Sequence, residues 1–175
     1  MKTHRTAADI GATIQEMDQQ YDANFGEWIR TEDNIDILAI NLKRYIEEYN
    51  EETFAEVLKW ITECWSLVSR IALLKKLFSS LIFREDTLQQ TEKSKKYVKI
   101  LKIATAVWSA AHLSELILEF LVDLRKEEKK TFLLWLLEDC SQKKLTEIFI
   151  RVDNIIDWSL KIAIIKNGKV GFTTD

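Results

Sequence analysis

The chain of 175 residues has no proline and only four glycines, Gly11, Gly26, Gly168 and Gly171. Tight hairpin turns need positive φ or a proline-set φ, so between Gly26 and Gly168 a sheet-rich fold has almost no means of reversing direction. Helices joined by Asn, Asp, Ser and Thr caps need neither residue. Cysteine is nearly absent too. Cys64 and Cys140 form no Cys-x-x-Cys pair, which excludes a disulfide framework. Both fall in apolar helical patterns and are expected as reduced, buried thiols of a cytoplasmic protein.

The two histidines give little to build chemistry on. His4 lies near the start of the chain. His112 has Trp108 and Leu116 as its helical neighbours and Glu115 as the one ligand type nearby. A metal site needs three or four converging donors, so His112 is expected as a buried or half-exposed structural residue. Glycine this scarce excludes a phosphate-cradling loop. No Ser, Thr or Cys stands in a nucleophile-elbow context, and the Glu-x-x-His spacing of di-iron bundles does not occur. Paired acids such as Glu47-Glu48, Glu51-Glu52 and Glu127-Glu128 read as solvated surface charge. These residues point to no cofactor, no metal and no catalytic group, and to a non-enzyme. A small helical enzyme assembled from scattered polar side chains stands as an alternative.

Long apolar runs are missing as well. The longest uncharged stretch, residues 103–114, falls short of the roughly 20 apolar residues a bilayer span requires. The first 20 residues carry Asp9, Glu16 and Asp18 and do not read as a secretory signal. Nor is there a basic excess: the net charge is −3 and the pI about 5.6, which argues against nucleic acid as a partner. The densest basic cluster is Lys93, Lys95, Lys96, Lys99 and Lys102, read as a solvated helix face. A nucleic-acid role would need it to share a face with Lys126, Lys129 and Lys130.

What is present is apolar periodicity. Hydrophobic residues make up 47% and charged residues 30%, enough for a core and a well-solvated surface. Ile10, Ile14, Met17, Tyr21 and Phe25 mark a first helix over residues 6–25. A second starts near Asn34, with Ile37, Leu38, Leu42, Tyr45, Ile46 and Tyr49 on one side. Asn50 then caps a third, through Phe54, Val57, Leu58, Ile61, Trp65 and Val68, which continues or bends near Ser69 toward Leu81. Residues 84–94 are the most polar and read as the longest loop. A helix from Lys95 to about Ala111 follows, through Val98, Leu101, Ala104, Val107 and Trp108. After it come apolar stretches at 113–124 and 132–137, then a last helix capped by Ser141 and reaching Ile165, with a polar tail over 167–175.

The expected fold is all-α, one compact domain over residues 1–175 with six or seven antiparallel helices. An irregular bundle is the first expectation and stacked α-hairpins the second. The second rests on a weak rhythm: at a shift of 78 residues Leu38 meets Leu116, Leu42 meets Phe120, Ile46 meets Leu124, and Thr53-Phe54 meets Thr131-Phe132. Half that shift suits hairpins of about 40 residues, as in arrays of the HEAT type.

The six tryptophans are the most unusual feature. Trp65, Trp108 and Trp135 lie in phase with core positions. Trp60 falls off the main apolar face, and Trp28 lies in a link between helices. Large aromatics outside the core are common interface anchors, so Trp28, Trp60 and Tyr49 are the candidate partner-binding residues. The expected function is a non-enzymatic protein–protein interaction or regulatory module. It would take another protein or a helical peptide as partner, and a homo-oligomer is compatible with it.

Two partial resemblances bear on this reading. Ile10, Ile14, Met17 and Tyr21-Asp22-Ala23-Asn24-Phe25 resemble the BH3 helix of Bcl-2-type apoptosis regulators. Phe54-Ala55-Glu56-Val57 leading to Ser69-Arg70-Ile71 is similar to that family's BH1 entry, with Leu67-Val68-Ser69 where it has Asn-Trp-Gly. Residues 135–149 faintly resemble BH2. Residues 117–136 with Arg151-Val152-Asp153 resemble helices of pyrin-type death-fold domains, over about a third of the chain. Either resemblance implies a regulator of cell death or innate signalling.

Overall fold

The computed structural model describes residues 35–79, 82 and 88–153. Among them are seven helices and no strand: α1 (Ile35–Lys43), α2 (Glu51–Ile61), α3 (Leu67–Phe78), α4 (Leu88–Ala104), α5 (Ala110–Leu121), α6 (Lys126–Leu136) and α7 (Gln142–Arg151). The all-α expectation holds. The expected first helix over 6–25, the tail over 167–175 and the last helix beyond residue 153 lie outside the described residues. The chain divides into two compact units, Met1–Leu77 and Phe78–Asp175.

In the first unit, α2 buries Phe54, Val57, Leu58 and Ile61, a stripe at i, i+3, i+4 and i+7 that is at most 1% exposed. Leu38 and Leu42 of α1, with Leu73 and Leu77 of α3, are equally hidden, and Leu74 nearly so. Asn50 caps α2 by accepting a hydrogen bond from the Thr53 amide at 2.8 Å. Asp36 in the first turn of α1 pairs with Lys76 in the last turn of α3 at 2.8 Å, each charge opposing its own helix dipole.

In the second unit, α4 packs on α6 and α5 on α7. Each helix therefore meets the next but one in the chain, as when one α-hairpin is laid on another. Between the layers lie Val98 and Leu101 of α4, Leu116 and Ile117 of α5, Phe132 and Leu133 of α6, and Ile148 of α7, all fully buried. The Phe120 and Phe132 rings stack 5.5 Å apart and nearly parallel.

One corner geometry recurs three times, at residues 62–66, 105–109 and 137–141. In each, the first residue's amide returns to the carbonyl four back (Thr62 to Leu58, Thr105 to Leu101, Leu137 to Leu133). The fourth residue's amide then reaches the first residue's carbonyl (Trp65 to Thr62, Trp108 to Thr105, Cys140 to Leu137). The fifth is a serine whose hydroxyl accepts from the amide three residues on: Ser66 from Ser69, Ser109 from His112, Ser141 from Lys144. In the first two corners a threonine hydroxyl also donates to the carbonyl four back at 2.8 Å. This turn contains no glycine, which explains how a chain so poor in glycine passes from one helix to the next.

The corners correct several boundaries. The segment expected to run or bend past Ser69 is two helices, because Ser66 starts a new one. The apolar phase is reset there, and Val68, expected in the core, is 78% exposed. Likewise the helix expected to reach Ala111 stops at Ala104, leaving Val107 87% exposed on the corner and Trp108 half-buried. Ile37 faces outward rather than in. Residues 88–94 belong to α4 and not to the expected loop. Gln, Glu, Lys and Ser carry only small helix penalties, so polarity alone does not end a helix. Ser94, within that stretch, is fully buried.

Candidate partner-binding surface

Trp60 sits in the last turn of α2 and is half-buried, one residue beyond Lys59, whose ammonium holds Glu56 at 3.0 Å. Tyr49 stands just before the Asn50 cap at the other end of α2. It is half-buried, with its ring 5.9 Å from that of the buried Tyr45. Tyr49 lies outside the start of α2 and Trp60 in its last turn, so about three turns of helix separate the two candidates. Each anchors a different end of the same helix. Trp28 lies outside the described residues.

Aligning the corners brings out a residue that the sequence reading placed in the core. Trp60 precedes the capping Ser66 by six residues, and Trp135 precedes Ser141 by the same six. Both are half-buried. The intervening corner has Ile103 at this position, again half-buried. The signal that could have found Trp135 is its distance to the serine cap, not its apolar phase. Trp65, by contrast, is buried as expected.

The ion pairs of the second unit are local. The Lys102 ammonium of α4 reaches across to the third corner, 2.8 Å from Asp139 and 3.6 Å from Glu138. Burial by itself would favour the neutral amine, but Asp139 and Glu138 outweigh it and hold Lys102 above the ordinary lysine range. Glu128, in the first turn of α6, accepts from the Arg125 guanidinium at 2.7 Å and from the Arg125 amide at 2.9 Å. The guanidinium hydrogen bond holds its carboxyl below the usual range, against an opposing effect of burial.

The outer face of α4 carries exposed Lys93, Lys95 and Lys99 and half-buried Lys96. Counting back from the serine caps, Lys95, Lys99 and Lys102 of α4 correspond to Glu127, Thr131 and Leu134 of α6. Lys126, Lys129 and Lys130 correspond instead to Ser94, Tyr97 and Val98, on the side that α4 buries.

The remaining chemistry-bearing residues stay apart. His112, expected as buried or half-exposed, is exposed in the first turn of α5, where its amide donates to the Ser109 hydroxyl and its position falls off the stripe of Leu113, Leu116 and Ile117. Cys64 is exposed on the first corner and Cys140 half-buried on the third, so the expectation of two buried thiols fails. The corners lift both off the helical phase that suggested burial. Both thiols are free. Burial pushes the Cys140 thiol up; Asp139 adds to the rise, and Lys144 and Lys102 oppose it. Among the described residues no group of three or more His, Cys, Asp or Glu could hold a metal ion, and no helix is long and apolar enough to cross a membrane. No family model, curated protein or solved structure matches the chain.

Proposed function

We propose that this protein is a non-enzymatic interaction module, built from repeated α-hairpins, that presents a helix face to another protein or a helical peptide. The observation that carries the reading is the recurrence of one corner, with Trp60 and Trp135 in equivalent, half-buried places beside it. A side chain that recurs at one place beside the same corner gives each unit its own half-exposed aromatic for a partner. Large aromatics half out of such a surface contribute much area at low entropic cost. Tyr49 and Trp28 belong to the same reading. A reducing, cytoplasmic setting agrees with two thiols that form no disulfide. A second copy of the chain is one partner this surface could take.

The test compares the wild-type protein with Trp60→Ser and Trp135→Ser as baits in affinity capture from the native cell, with melting curves recorded for each. Proteins retained by wild type and lost at least tenfold from either variant, at an unchanged melting midpoint, are the expected outcome. Identical captures from all three baits would overturn the assignment of these residues. Titration with BH3-type helical peptides distinguishes the cell-death alternative, which micromolar binding would favour.

A further inference from the structure

We draw no further inference here: the strongest candidate, the lysine-rich outer face of α4 around Lys95, Lys96 and Lys99, is already engaged within the chain at Lys96 and Lys99, and nothing in the structure shows what would cover the remainder.

Discussion

Glu128 closes the start of α6 from within, tied to both the side chain and the amide of Arg125. Because its carboxyl titrates lower in the folded chain than in the unfolded one, its contribution is present above about pH 4.5 and lost as pH falls through the folded value. Arg125 is largely exposed, so solvent screening limits the gain to about 0.5–1 kcal/mol. Glu128→Gln should therefore melt lower than wild type at pH 7, by a margin that narrows as the pH falls below about 4.5. A margin that does not narrow on acidification would mean the carboxylate is not the source. Phe132 lies at the opposite extreme, fully buried and stacked on Phe120. Phe132→Ala should cost about 3–5 kcal/mol in denaturant titration, through lost transfer energy and the cavity left behind. At this scale the sequence is informative at many positions within helices. Phe54, Leu58, Leu101 and Leu116 are buried as their spacing implies. It misled at Val68 and Val107, whose phase belongs to a helix that has ended or has only just begun.

At the scale of elements, the serine caps should decide stability more than the surface charges do. Ser109→Ala removes the acceptor for the His112 amide and should cost about 1 kcal/mol in chemical denaturation, while Ser109→Asp, which keeps an acceptor, should stay close to wild type. The ion pair joining Lys102 to Asp139 is worth less, since Asp139 is 75% exposed. A double-mutant cycle with Lys102→Ala and Asp139→Ala should give a coupling of about 0.5 kcal/mol that fades in 1 M salt. Helix existence was readable because apolar spacing is a strong signal over ten or more residues. Helix ends were readable at Asn50 and Ser141, where a cap coincides with a change of composition. They were hidden at Ser66 and Ser109, where apolar residues continue on both sides of the cap.

For the molecule as a whole, the all-helical class followed from the missing prolines and glycines, and the rhythm was detected at the wrong register. The rhythm read from apolar spacing has a shift of 78 residues, whereas the corners at Ser66 and Ser141 lie 75 apart. A slip of three residues rotates a helix by nearly one full turn, so apolar positions still meet apolar positions and the error leaves no trace in composition. Only the hydrogen bonds of the corner fix the true register, and these are invisible to hydrophobic patterning. The candidate surface was legible in part for the same reason: Trp60 was singled out and its counterpart Trp135 was not. If these sites are equivalent, an aromatic should be accepted in the middle copy as well. Ile103→Trp is expected to lower stability by less than about 1.5 kcal/mol by calorimetry, a cost typical of a tolerated swap.

The recurring corner also bears on how quickly the chain can organise itself. Its backbone bonds and serine cap each join residues three or four apart. Each corner can therefore form before distant parts of the polypeptide have met, and little loop entropy stands in the way. With no proline to isomerise, nothing imposes a wait of tens of seconds. Stopped-flow refolding should be complete within milliseconds, without a slow tail.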